Sequence, residues 1–166
     1  MSTSMKDVNQ SIDITSSQDT ENKFLTFFCE QQLFGVPIAH IVQIVGMQEI
    51  TPIPETLNCL KGIINMRGCI IPLIDIRLRL KKPETQYDER TCIIITTIED
   101  LTTGFIVDGV DEVINVAPEL ILPAPKYAID TLNGYITGIA TIHNKVILIM
   151  DIQRLFTPSE IERIRQ

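Results

Sequence analysis

Few residues of this sequence have a type and spacing that could do acid–base or metal chemistry. The two histidines, His40 and His143, stand at ligand spacing from no other His, Cys or carboxylate, so they predict no metal site. Asp75 and Asp151 could be paired as an acid and a base. Each of them, however, ends an apolar strand and precedes a turn, where a carboxylate caps backbone N–H groups. We therefore expect structural roles for all four side chains.

The sequence also lacks the motifs of nucleotide-binding and hydrolytic enzymes. It has no Gly-x-x-x-x-Gly-Lys loop, no Gly-x-Gly-x-x-Gly loop and no serine in a nucleophile-elbow pattern. The cysteines are far apart and form no Cys-x-x-Cys pair, so we expect buried free thiols at Cys29, Cys59, Cys69 and Cys92. The sequence thus predicts a protein without cofactor or metal, and it favours a non-catalytic role.

Arg67 is the side chain that the sequence singles out for binding. It lies in the turn-forming stretch Asn65-Met-Arg-Gly68, between two strongly apolar runs. A guanidinium on a rigid turn can make bidentate contacts with a carboxylate. That carboxylate could belong to the same chain or to a partner, and the residues alone leave both possibilities open.

Composition restricts the class of protein. The chain has 166 residues, 45% of them hydrophobic but only 5% aromatic, with no Trp, which predicts an aliphatic core and favours strands. The net charge of -7 argues against binding to nucleic acid, since that requires clustered Lys and Arg. We find neither a basic leader with an apolar stretch nor a run long enough to span a membrane. We expect a cytoplasmic protein that reaches a membrane only through a partner.

The first part of the chain divides into a polar segment and a hairpin. Residues 1–22 carry too few apolar side chains to offset the entropy of ordering, so they predict a disordered tail. Two β-rich runs, Phe24–Cys29 and Leu33–Ile38, flank a short polar stretch and predict an antiparallel pair. Further on, Pro54 can open a single helical turn that Gly62 closes.

Two later segments are also distinctive. The polar stretch 81–90 lies near the midpoint of the ordered part and predicts a linker or a long loop. The sequence Thr157-Pro-Ser-Glu160 is a capping box, which predicts a C-terminal helix over 157–166.

The chain repeats around that linker. Apolar residues follow both Gly35 and Gly104 at plus six and plus nine. A Gly-Ile pair precedes Asp75 by thirteen residues and precedes Asp151 by the same interval. The Pro-x-Pro stretches at 52–54 and 123–125 take related places between these anchors. Three matches in the same order predict two copies of a small, mostly five-stranded unit, each packed on the other.

Short strands with Gly and Pro turns and little helix are typical of barrels or sandwiches. We predict an all-β fold of two small five-stranded barrels packed on each other, with short helical turns and a C-terminal helix. The boundaries that we predict place barrel 1 at about 23–80, the linker at about 81–90 and barrel 2 at about 91–156.

The run from Pro52 to Ile76 resembles the core signature of the CheW-type chemotaxis coupling proteins. In that family a Pro, a Lys-Gly, an Asn-Leu-Arg-Gly turn and a Pro-Ile-Asp-Leu strand recur in this order, and here Met66 replaces the Leu. The resemblance extends to Gly104–Val113, Pro123–Pro125 and Tyr135–Ile139. It implies two SH3-like barrels with a groove between them. It also implies a non-catalytic adaptor that links the cytoplasmic tip of a chemoreceptor to the regulatory domain of the chemotaxis histidine kinase.

The same resemblance implies two partner surfaces. Receptor contact is expected in the groove, at Ile41, Gln43, Arg67, Ile93, Gly104 and Val113. Kinase contact is expected at Ile50, Thr51 and Gly62. Simple core packing is an equal alternative for Ile41, Ile93 and Val113, since β-branched residues on strands are usually inside.

One stretch departs from the family pattern. Members commonly carry Glu-Ile-Arg-Gly where this chain reads Gln43-Ile-Val-Gly46, so no Glu at that position can pair with Arg67. A coupling protein of a specialised array, controlling pili or gliding, is therefore an alternative function. A ligand-binding or enzymatic double barrel is a second alternative, and a deep pocket lined by carboxylates would favour it.

Overall fold

The computed structural model describes residues 21–54, 57–124 and 134–165. Nearly all of the predicted tail lies outside these ranges, as does Pro125 of the second Pro-x-Pro stretch. The described strands and helices are β1 (Lys23–Cys29), β2 (Gln32–Pro37), β3 (Ile41–Gly46), β4 (Leu60–Met66), β5 (Cys69–Asp75), α1 (Ile76–Arg79), β6 (Cys92–Ile98), β7 (Leu101–Val107), β8 (Gly109–Asn115), β9 (Leu122–Pro123), β10 (Ile136–Ile142), β11 (Lys145–Met150) and α2 (Pro158–Arg165).

The strands form two sheets, which confirms the predicted all-β class. One sheet has the order β8-β1-β2-β11-β10-β9, and the other has the order β3-β6-β7-β5-β4. Neighbouring strands are antiparallel except for the parallel pairs β2 with β11 and β5 with β7. The predicted hairpin at the start of the chain is confirmed, since β1 pairs with β2 from Phe24 opposite Pro37 to Cys29 opposite Gln32.

The predicted division into barrels at residues 81–90 does not match the sheets. The β1–β2 hairpin comes from the first half of the chain, yet it lies between β8 and β11 of the second half. The β6–β7 hairpin of the second half likewise lies between β3 and β5 of the first. Each sheet therefore combines the first hairpin of one half with later strands of the other. The spacing of residues in the sequence reveals the two copies. It does not show whether the first hairpin of each copy pairs with strands of its own copy or of the other.

The strand registers support the internal repeat. Gly35 pairs with Ile149 across the parallel β2–β11 ladder, and Gly104 pairs with Leu73 across the parallel β5–β7 ladder. The glycines, and the strands β5 and β11 that lead to Asp75 and Asp151, are the ones that the sequence repeat matched with each other. In both sheets the order of equivalent strands is third, first, second, fifth and fourth. β9 has its counterpart in the antiparallel bridge between Thr51 and Ile63.

The apolar core has three parts. The largest cluster lies between the sheets and draws on both halves of the chain, including Ile44, Ile94 and Ile136. A smaller cluster fills each barrel, with Ile93 and Leu73 inside one and Ile147 inside the other. Alternate residues of β6 therefore face different clusters. This explains why its run of isoleucines is buried on both sides.

The aspartates that end β5 and β11 are capping residues, as predicted. Asp75 Oδ1 accepts hydrogen bonds from the N–H groups of Arg77 (2.9 Å) and Leu78 (3.5 Å), and Asp151 Oδ1 accepts one from Gln153 (3.0 Å). Asp75 is buried and also accepts a hydrogen bond from the Tyr87 hydroxyl at 2.7 Å. The carboxylates thus fix the turns that leave each barrel.

The C-terminal capping box is also confirmed. Thr157 N–H donates to Glu160 Oε1 at 2.9 Å, and Glu160 N–H donates to Thr157 Oγ1 at 3.2 Å. Arg79 binds the same carboxylate at 3.2 Å and stacks over the rings of Tyr135 and Phe156. The helix is therefore attached to α1 by a shared glutamate.

Candidate functional site

Arg67 occupies the tip of the β4–β5 hairpin in a left-handed turn. Arg67 has φ +54° and Gly68 has φ +84°, the pattern of a type I′ turn. The side chain of Asn65 closes the turn by accepting a hydrogen bond from Gly68 N–H at 2.9 Å. Within the described ranges Arg67 is exposed and has no hydrogen bond or ion pair. Of the two alternatives left open by the sequence, these contacts do not support the intramolecular bridge.

A bulge in β3 exposes a second set of side chains. The register of β3 against β6 shifts between Ile41 and Gln43, so Val42 is an extra residue without an opposite partner. Both Val42 and Gln43 are exposed as a result, Val42 by 49%. A bulge re-aims side chains in this way at sheet edges and at functional sites.

From the repeat we infer that the hairpin tip and the bulge lie on one surface. In the second half, Lys145 lies at the corresponding turn of β10–β11, and its Nζ is 3.4 Å from Asp111 at the corresponding bulge of β8. The equivalent residues of the first half are Cys69 and Val42, and neither is charged. Ile70 adds a side chain that is 54% exposed. We call this set the tip surface; its members are Val42, Gln43, Arg67, Cys69 and Ile70.

Three of the predicted receptor-binding residues do not reach the surface. Ile41 is 2% exposed and packs between the sheets, and Ile93 is 0% exposed inside a barrel. Gly104 is buried, and a Cβ there would stand 2.6 Å from Leu73 Cδ2 and 2.8 Å from Ile93 Cγ2. Core packing, the alternative considered for Ile41 and Ile93, describes both. Val113 is half-buried against the core between the sheets.

The predicted kinase-binding residues lie together at a different place. Thr51 and Ile63 exchange two backbone hydrogen bonds of 2.9 Å, and this bridge extends the sheet beyond β4. Thr51 is exposed, and Ile50 is half-buried against the barrel core. Gly62 is buried inside β4 rather than at the end of a helical turn, which corrects the predicted role as a helix stop. A Cβ there would lie 2.4 Å from Thr51 O, so glycine is required by this close approach.

The described residues contain no cluster of three or more His, Cys, Asp or Glu that could hold a metal ion. The cavity between the sheets has a volume of about 10 Å³, room for at most one water molecule. Only apolar side chains line it: Phe27, Val36, Ile76, Ile94, Phe105, Val107, Met150, Ile152 and Leu155. This cavity gives no support to the ligand-binding alternative.

Three cysteines are buried, as expected, and the fourth is not. Burial raises the pKa of Cys29 and Cys92 to about 12 and that of Cys59 to about 11, so these thiols stay protonated at neutral pH. Cys69 is exposed beside the turn, which corrects the expectation that all four would be buried. It follows the type I′ turn directly, where strand residues are solvent-accessible.

The exposed aliphatic side chains were missed by reasoning from the sequence. Val42 and Ile70 lie within runs of Ile and Val that predict buried strands, and only the bulge and the hairpin tip expose them. The turn signal at Asn65–Gly68 was the one available indication. A position two or three residues from such a turn is a candidate for exposure even when it is aliphatic.

The two sheets define a double SH3-like barrel protein. A family model for the CheW-like domain matches residues 23–160, and the chain belongs to that family. In the part that the structure describes, we find no helix long and apolar enough to cross a bilayer.

Individual relatives agree with this assignment. The chain is 32% identical over 138 residues to the chemotaxis protein CheW of Klebsiella aerogenes, covering 83% of each chain. It is 28% identical over 149 residues to the probable chemotaxis protein CheW of Rhizobium etli, covering 90% of this chain and 96% of that one. The crystal structure of the scaffolding protein TtCheW from Thermoanaerobacter tengcongensis matches with a TM-score of 0.74 and 35% identity, covering 82% of this chain and 88% of that one. The family is one of chemotaxis scaffold proteins.

Proposed function

We propose that this chain is a non-catalytic adaptor that couples the cytoplasmic tips of chemoreceptors to the chemotaxis histidine kinase. Its place is the cytoplasm, at receptor arrays that it reaches through these partners. Membership of the CheW-like domain family supports the role. The observation that carries the proposal is Arg67, a cation without an intramolecular partner in the described residues, held on a rigid turn beside exposed aliphatic side chains.

The receptor-binding part of the proposal rests on the tip surface. Arg67 and Gln43 retain their predicted role, and Val42 and Ile70 take the place of the buried Ile41 and Ile93. An aliphatic patch beside one cation suits an amphipathic helix that presents a carboxylate at the edge of its apolar face. A chemoreceptor hairpin tip is a partner of this kind.

The kinase-binding part of the proposal rests on Ile50 and Thr51. Thr51 forms its bridge to Ile63 at the middle of β4, four residues before Arg67, and Ile50 directly precedes Thr51. An aliphatic side chain that is half-buried against a barrel core can complete its burial against a partner. We propose that Ile50 and Thr51 form a kinase surface separate from the tip surface, so that both partners can bind at once.

A reconstituted phosphorylation assay tests the function. The kinase is expected to autophosphorylate faster only when the receptor tip and this protein are both present, because a scaffold acts by fixing geometry. ATP hydrolysis by this protein alone would contradict the proposal. So would equal activation of the kinase in the absence of receptor.

Gln43 favours a variant of the same function. Its side chain is exposed and, in the described residues, forms no hydrogen bond with Arg67. A specialised array for pili or gliding is therefore the second candidate. Capture from the native cytoplasm on the immobilised protein, followed by identification of the bound receptor and kinase, distinguishes the two.

A further inference from the structure

The two halves of this chain are interleaved rather than stacked. The first half ends at Leu80 and the second begins at Thr91, and four strand pairings join one half to the other. They are β1 with β8, β2 with β11, β3 with β6 and β5 with β7. Within the first half alone β3 pairs with no strand, since its described ladder is to β6. Neither half can complete a described sheet without a partner half.

Only the connection between Leu80 and Thr91 determines whether a half pairs with the other half of its own chain or with that of another copy. Residues 81–90 are all exposed or half-buried, and they contain no strand or helix. Fully extended, they can span about 35 Å. Tyr87 packs against one barrel core, and the other described contacts of this segment with the rest of the chain lie near the surface, including the hydrogen bond that Arg77 Nη1 donates to Pro83 O at 3.3 Å. Tyr87 binds Asp75 at 2.7 Å, Lys82 binds Glu30 at 3.1 Å, and Lys61 pairs with Glu84.

We propose that this chain can form a closed dimer with a second copy by exchanging halves, with residues 81–90 as the hinge. The first half of each copy then pairs with the second half of the other, and every ladder is formed between the same residues as in the monomer. An identical copy is the partner because only it supplies the complementary set of strands and side chains. Exchange of an identical element is a low-cost route to a dimer, since only the hinge changes conformation. Each of the two globules keeps the tip surface, so the dimer is a bivalent adaptor.

A complementation experiment with two full-length variants tests the exchange. Leu73→Asp/Ile74→Asp disrupts the core of the first half, and Ile149→Asp/Met150→Asp disrupts the equivalent positions of the second half; all four side chains are 5% exposed or less. In a monomer or in an exchanged dimer of one variant, every globule contains one half with the substitutions. Each variant alone is therefore expected to stay unfolded. An equimolar mixture refolded together can form one globule from the two intact halves. We expect a cooperative unfolding transition in the mixture only, at twice the monomer mass of 18.7 kDa.

The unmodified chain provides an independent measurement. Refolding from denaturant at rising protein concentration is expected to increase the dimer fraction, as determined by light scattering after size exclusion. Because exchange requires unfolding, that dimer should persist on dilution and revert to monomer only after a second cycle of denaturation. Failure of the mixture to recover while the unmodified chain refolds would overturn the proposal. Absence of dimer at every concentration, or a dimer that dissociates at once on dilution, would overturn it as well, the latter indicating a surface contact.

Discussion

Arg77 binds Asp108 through two nitrogen atoms, with Nε 2.9 Å from Oδ1 and Nη2 2.8 Å from Oδ2. Asp108 also accepts a hydrogen bond from Glu30 N–H at 2.7 Å. The carboxylate therefore joins α1 of the first half, the β1–β2 turn and the β7–β8 turn. The hydrogen bonding of the guanidinium to Asp108 is the main reason that the pKa of Arg77 is raised. This contact ties the two interleaved halves together at a place remote from the tip surface.

We expect Asp108→Ala to lower the free energy of unfolding by about 1–3 kcal/mol, because it leaves Arg77 Nε, Arg77 Nη2 and the N–H of Glu30 without their acceptor. Asp111→Ala is the matched control, since Asp111 pairs with Lys145 near the surface and its loss should cost about 0–1 kcal/mol. Urea denaturation of both variants gives the values. Equal losses would show that the Arg77 contact is no stronger than an ordinary surface pair.

Arg67→Glu tests the tip surface. Reversing the charge on an exposed turn should change the free energy of unfolding by less than about 0.5 kcal/mol. Receptor binding should weaken by about 2–5 kcal/mol if the receptor offers a carboxylate. Titration against a receptor tip gives the affinity, and kinase affinity should not change.

His143→Glu is the matched control, because His143 occupies the equivalent turn with φ +52° and is likewise exposed. It should leave receptor binding unchanged. Gln43→Glu should weaken receptor binding in part, by giving Arg67 a competing partner. A loss of both affinities, or an unfolded Arg67→Glu protein, would mean that the arginine is structural.

Two aliphatic substitutions distinguish the partner surfaces. Ile50→Asp should weaken kinase binding and leave receptor binding intact, because it introduces a carboxylate into the apolar contact. Ile70→Asp should do the reverse. Both affinities are measured by titration, after the melting transition shows that each variant is folded. A substitution that weakens both partners alike would contradict the two-surface arrangement.

The buried thiols predict a loss of stability at alkaline pH. The unfolded thiols ionise near pH 9.0, whereas burial holds the pKa of Cys59 at about 11 and that of Cys29 and Cys92 at about 12. The folded state therefore retains protons that the unfolded state releases. The contribution of each thiol is fully present below pH 9. It falls by up to about 1.4 kcal/mol per pH unit above that, as far as about pH 11 for Cys59 and about pH 12 for Cys29 and Cys92.

Denaturation at several alkaline pH values, repeated with Cys92→Ala, gives the contribution of one thiol as a reduced slope. Reaction with a thiol reagent at pH 8 is an independent measurement. We expect one fast thiol, Cys69, and three that react only on unfolding. A second fast thiol in the folded protein would contradict the assigned burial.

Local patterns in the sequence predicted local structure well. The first hairpin, the caps at Asp75 and Asp151 and the capping box at Thr157 all depend on residues close together in the chain, and all are confirmed. The spacing of glycines and aspartates also revealed the repeat, because equivalent ladders need equivalent residues. The family was predicted from the same motifs.

Features that depend on distant residues were predicted less well. The aliphatic strands do not indicate which of their side chains are exposed, so Ile41 and Ile93 were proposed for the groove and Val42 and Ile70 were missed. In β3, the bulge at Val42 breaks the inward–outward alternation of side chains that would have distinguished buried from exposed residues. The position of the bulge depends on the register of β3 against β6.

The sequence by itself determined the class of fold, the two copies, the turn that carries Arg67 and the absence of familiar catalytic motifs. The fold class and the turn follow from backbone preferences and hydrophobic spacing within a few residues, and the two copies follow from the same local spacing found twice. Only the tertiary structure decided that each sheet takes its first hairpin from the other half of the chain, and that Val42 and Ile70 are exposed. The physical reason is that pairing between distant strands is selected by the burial of the whole core. The two copies of the repeated hairpin present nearly the same apolar pattern to that core, so the local sequence does not show which sheet each hairpin joins.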